Sequence, residues 1–91
     1  MQYMLIERFR PGKVKDMYQR FSEKGRMLPD GVTFVGSWIN ESVTVCYQVM
    51  EAESLEKLQI WIDNWKDYTE FEVIPVISSA EAKAKVVAEA G

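Results

Sequence analysis

Histidine is absent from the 91 residues. That removes imidazole general bases, histidine-based nucleophile triads and nearly every catalytic zinc site at once. The single cysteine, Cys46, cannot close an internal disulfide, so the core holds without a covalent staple and a reducing compartment fits. No fully apolar run is longer than about four residues, against roughly 20 needed to span a bilayer. The start of the chain, Met1-Gln2-Tyr3-Met4-Leu5-Ile6-Glu7, lacks a basic segment and meets a charge early, so neither an export signal nor a membrane anchor is expected and the expected location is cytoplasmic. Calcium-loop spacing, a phosphate loop, a dinucleotide fingerprint and a nucleophile elbow are all missing, which leaves no metal and no cofactor to expect. The basic residues lack interleaved aromatics and the net charge is -3, which argues against a nucleic-acid partner.

What is present is a chain of one-domain length, 47% hydrophobic and 12% aromatic, a composition that excludes disorder and fibrous repeats. Charge is unevenly spread. Residues 1–26 carry a balance of about +4 and the remainder about -7, so the first helix either attracts an anion or is a solvated face laced with pairs such as Asp16–Arg20.

Residues 2–9 alternate as a strand, with Tyr3, Leu5 and Glu7 on one side and Met4, Ile6 and Arg8 on the other. After Pro11-Gly12, the residues Val14, Met17, Tyr18 and Phe21 recur at helical spacing, and Gly25 is a natural helix stop. Residues 32–39 and 43–51 read as two strands joined at Asn40-Glu41-Ser42. Simple alternation puts Val32, Phe34, Gly36 and Trp38 on one face. A two-residue hairpin loop would place Trp38 with Tyr47, and a three-residue loop would place it with Cys46 and Gln48. Ser54 can cap a helix with a stripe of Leu55, Leu58, Ile62 and Trp65, widened by Trp61. Residues 70–77 form a fourth strand, whose Pro75 points to a sheet edge or a bulge. Ser78-Ser79-Ala80-Glu81 is a capping-box pattern that opens an alanine-rich tail helix. The division is therefore a domain over 1–78 and a tail over 79–91.

The order β-α-β-β-α-β places both helices on one side of an antiparallel sheet ordered 4-1-3-2, the ferredoxin-like α+β arrangement. Yet the strands are apolar on both faces: Leu5 against Ile6, Phe34 against Val35, Val49 against Met50, Val73 against Ile74. A sheet with one wet face alternates polar with apolar, and each such side chain left in water forgoes roughly 1.5–3 kcal/mol. A second, identical sheet over that face is expected, which makes a homodimer.

The runs Ile6-Glu7-Arg8-Phe9, Gly25-Arg26-Met27-Leu28-Pro29, Ser37-Trp38, Cys46-Tyr47-Gln48-Val49-Met50-Glu51, Trp61-Ile62-Asp63-Asn64-Trp65 and Glu70-Phe71-Glu72-Val73 together resemble a bacterial family catalogued only as a domain of unknown function, numbered 3303. The resemblance extends from about Met4 to Ser79. It implies the dimeric α+β barrel, in which two ferredoxin-like sheets pack face to face, and it implies no established activity. More distant relatives by fold include cofactor-independent monooxygenases, haem-degrading enzymes and stress-responsive barrel proteins, a kinship that is analogy and not chemistry. The haem-binding ones commonly use an axial histidine, which this chain lacks.

Four residues stand out as candidates to line a ligand pocket. Glu7, beyond the apolar Tyr3/Leu5 pair, is either a buried base with a raised pKa or a strand-end charge reaching solvent or an arginine. Gln48, on a mostly apolar face with Cys46, either orients a ligand through its amide or is a satisfied core glutamine. Trp38 and Tyr47 either wall an aromatic pocket or pack a core. Cys46 reads as a small buried hydrophobe, and Trp61 and Trp65 as helix-to-sheet packing. Three functions fit: a homodimer that holds a small apolar or aromatic ligand in a barrel cavity, a cofactor-independent monooxygenase-like enzyme, and a non-catalytic interaction module.

Overall fold

A computed structural model describes residues 1–90. The elements run β1 (Gln2–Phe9), α1 (Val14–Lys24), β2 (Val32–Ile39), β3 (Val45–Ala52), α2 (Leu55–Asp63), β4 (Thr69–Val76) and α3 (Ser79–Ala90). The four strands make one antiparallel sheet in the order β2-β3-β1-β4, the expected ferredoxin-like topology. Pro75 sits on β4, an edge strand, where a missing N–H breaks no ladder.

The core lies between the sheet and α2. Leu5, Met50 and Leu58 are fully enclosed, with Tyr3, Val32, Ala52, Trp61, Ile62 and Trp65 around them. Trp61 meets Phe71 edge-on at 5.7 Å between ring centres, a favourable aromatic geometry. Ser54 caps α2 by accepting from the Lys57 N–H at 3.2 Å. The helix ends at Asp63, and Trp65 reaches the core from the turn that follows.

Two features of the β2–β3 hairpin differ from simple alternation. Phe34 opposes Met50 while Gly36 opposes Val49, so Val35 is an extra residue in a bulge. Val32 and Phe34 therefore face the helices, whereas Gly36 and Trp38 face away; the four do not share a side. The turn is also longer than three residues. The Asn40 N–H donates to the Val45 carbonyl at 3.0 Å, and the Asn40 side-chain oxygen accepts from the N–H groups of Thr44 and Val45 at 2.9 and 2.8 Å. These bonds hold residues 41–44 as a loop and delay β3 to Val45. An even-length loop pairs Trp38 with Tyr47.

The capping box forms as read: the Glu81 N–H donates to Ser78 Oγ at 3.0 Å, and the Ser78 N–H to Glu81 Oε1 at 3.3 Å. No residue of 79–88 is buried, so α3 extends from the body; Gly91, the last residue of the expected tail, lies outside the described residues. Among the described residues no helix is long and apolar enough to cross a membrane.

Candidate functional site

The second helix packs tightly; the first does not. Its stripe of Val14, Met17, Tyr18 and Phe21 faces the sheet, yet no residue of α1 is buried. Packing at contact distance would fill that space. Instead a cavity of about 210 Å³ lies between α1, α2 and the sheet.

Arg20 ties α1 to the body. Its guanidinium donates to the Asn64 carbonyl at 2.7 Å, to both Asp67 oxygens at 3.2 and 2.9 Å and to the Tyr68 hydroxyl at 2.8 Å, while lying over the Tyr68 ring. This replaces the expected Asp16–Arg20 pair. A forked, bidentate partner with an aromatic face beneath is a better site for arginine than a single carboxylate one helical turn away.

A second tie positions Arg26. Gly25 ends α1 at φ 65°, where a glycine is free of strain, and Met27 follows at φ 57°. The Arg26 carbonyl between them accepts from two indoles, that of Trp61 in α2 at 2.8 Å and that of Trp65 in the turn after it at 3.0 Å. Its guanidinium lies 3.6 Å from the Phe34 ring centre and 5.1 Å from that of Phe21, and forms part of the cavity wall.

The polar floor comes from the two central strands. Glu7 opposes Cys46 and Leu5 opposes Gln48, so Glu7, Cys46 and Gln48 all point from the sheet into the cavity. Glu7 is 8% exposed and Gln48 5%. Glu7 Oε2 and Gln48 Nε2 are buried and have no hydrogen-bond partner. Burial raises the Glu7 pKa to about 7, against the opposing pull of a hydrogen bond with the Cys46 thiol and of the Arg26 charge. The Cys46 thiol is pushed up to about 12, first by burial and then by the Glu7 charge, so it is no nucleophile at neutral pH. Ser37 and Thr69 add hydroxyls to the wall; Phe9, Ile39 and the two tryptophans make it apolar.

Of the four residues singled out from the sequence, Glu7 and Gln48 are brought together in this cavity. Trp38 and Tyr47 are cross-strand neighbours on the opposite face of the sheet, 64% and 42% exposed, and do not line it. Arg26 escapes a reading by periodicity because it enters from a loop. The one signal for it is the Trp61/Trp65 pair, whose indole N–H groups need an acceptor when buried. Among the described residues, no three His, Cys, Asp or Glu side chains gather as a metal site.

The chain matches, over residues 1–90, the family model described as "Domain of unknown function (DUF3303)". Among curated proteins and among solved structures nothing matches it. The chain belongs to the DUF3303 family.

Proposed function

We propose that this DUF3303 chain is a ligand-binding homodimer, each protomer holding one small, mainly apolar or aromatic molecule in the cavity beneath α1. The observation that carries this reading is the pair of buried, unpartnered polar atoms, Glu7 Oε2 and Gln48 Nε2, in an otherwise apolar cavity. Leaving a buried donor or acceptor unmatched costs roughly 1–3 kcal/mol each. A small domain has little stability to spare, so groups kept in that state point to a partner that arrives from outside. Size fits as well: an apolar cavity of about 150 Å³ takes one benzene ring, and this one is about 210 Å³. Native mass spectrometry of freshly purified protein is the test. A retained molecule of roughly one to two hundred daltons, the size of one or two rings, released on unfolding, is the expected result. An empty protein that also gives no saturable tryptophan fluorescence change with naphthalene would remove the reading.

One observation favours a second reading, that of a cofactor-independent monooxygenase-like enzyme. A carboxyl poised near pH 7 in an apolar cavity is suited to take a proton from a phenol or an acidic C–H. Arg26 in the same wall would offset the resulting anion. Oxygen uptake with a panel of quinols, lost in Glu7→Gln, is then expected. Uptake at the wild-type rate in that variant takes Glu7 out of any mechanism.

A further inference from the structure

Resting on the reading of the cavity as a ligand site, we propose that its ligand carries a cyclic-amide edge, a ring N–H beside a C=O, which docks on Glu7 and Gln48. The two unmatched atoms are of opposite kind. Glu7 Oε2 is an acceptor, and Gln48 Nε2 is a donor. Both residues are more than nine-tenths buried, so neither is satisfied from bulk water. A ligand that offers only an acceptor satisfies Gln48 and leaves the carboxylate bare; one that offers only a donor does the reverse. The complement of this pair is a donor adjacent to an acceptor.

The sheet sets how far apart they are. Glu7 opposes Cys46 and Gln48 lies two residues further along β3, so the two are diagonal neighbours on one face, roughly 7–8 Å apart at the backbone. Side chains rising from such positions address two neighbouring atoms of a flat edge more readily than they converge on one oxygen. Charge selects further. A ligand carboxylate would also accept from Gln48, but beside Glu7 in its ionised form it sets a second negative charge in a low-dielectric space, with Arg26 the one cation in the wall, among the described residues, to offset both. A neutral edge does not. Trp61, Trp65, Phe9 and Phe21 supply flat apolar walls, which suit a planar ring.

The test titrates three probes of one shape into the full chain, followed by NMR: 2-quinolone, which has the N–H and C=O edge on two fused rings; its N-methyl derivative, which keeps only the acceptor; and naphthalene, which has neither. The expected result is that 2-quinolone binds at least about tenfold more tightly than either of the others, because each of those strands a buried group. In Gln48→Leu, 2-quinolone should fall to the affinity of naphthalene while naphthalene binding persists. Equal affinities for the three probes in the wild-type chain overturn this inference and leave the ligand-site reading standing. Failure of all three to bind overturns both. The wild-type comparison decides even where the variant does not fold.

Discussion

Replacing Glu7 with glutamine is expected to stabilise the fold by about 3 kcal/mol at pH 8 and by almost nothing at pH 4. The magnitude follows from the shift of the carboxyl from 4.5 to about 7 on folding, at about 1.4 kcal/mol per unit. The direction follows from which state holds the proton. Between the two values the folded chain keeps Glu7 protonated while the unfolded chain has released it, so the native state binds more protons and stability falls as pH rises through this window. Below 4.5 both states are protonated and the term is fully favourable; above about 7 it is gone. Glutamine is close in shape and carries no charge to desolvate, so it lacks this dependence. Urea unfolding followed by tryptophan fluorescence at several pH values measures it. The difference between variant and wild type should trace one sigmoid between about pH 4.5 and 7, and the other titrating groups cancel in that difference. A difference flat with pH would mean that the carboxyl is hydrated in solution and the cavity open. For a domain whose whole stability is about 5–15 kcal/mol, a term of this size is a large concession to a single side chain. Ligand binding that matches the unpaired oxygen gives it a use.

That Glu7 shares a face with Tyr3 and Leu5, and Gln48 with Cys46 and Met50, is legible because β1 and β3 alternate without interruption; which face meets the helices is not, since both are apolar. Once Leu5 and Met50 are taken as core, parity puts Glu7 and Gln48 on the helix side, and both lie there. The same reasoning fails on β2, where Val35 adds a residue and turns Gly36 and Trp38 to the other face. The one mark of that bulge in the Val32–Ile39 pattern is Gly36, a glycine inside a strand, and it does not say which way the register shifts. The hairpin shows the complementary limit. Asn40 was visible as a turn residue, but the reach of its side chain to Thr44 and Val45, which lengthens the loop, is a three-dimensional fact. The cavity is of this kind too. A helical stripe says which side of α1 faces the sheet, not how far above it the helix rides; that height depends on ties at Arg20 and Arg26 to partners more than thirty residues away.

Wild-type protein is expected to sediment as two 10.5 kDa chains, and Tyr47→Glu is expected to shift it to one. On the face opposite α1 and α2, Ile6, Trp38, Tyr47, Val49 and Ile74 lie together, with the bulged Val35 beside them. Val35 and Trp38 are each more than half exposed. Four strands about 4.8 Å apart and eight residues long cover roughly 500 Å². Two such faces give about 1,000 Å², the lower bound of a specific interface, so chemistry must favour burial strongly for the pair to persist. It does: charge is confined to the two ends, with Arg8–Glu72 at 3.2 Å and Arg10–Glu70 at 3.2 Å at one and the N-terminal ammonium with Glu51 at 2.7 Å at the other, and the centre is apolar and aromatic. A glutamate at 47 would place a desolvated charge on a central strand of each sheet, and two-fold symmetry would duplicate it across the interface. A weakening of at least about 100-fold is expected, since an unpaired buried charge costs several kcal/mol. Because Tyr47 is 42% exposed in the protomer, the far-ultraviolet circular dichroism should be unchanged, which separates lost pairing from lost folding. A wild-type chain that sediments alone at tens of micromolar would remove the homodimer. A variant that still pairs would move the interface to another surface, and the apolar sheet face would then need a different cover.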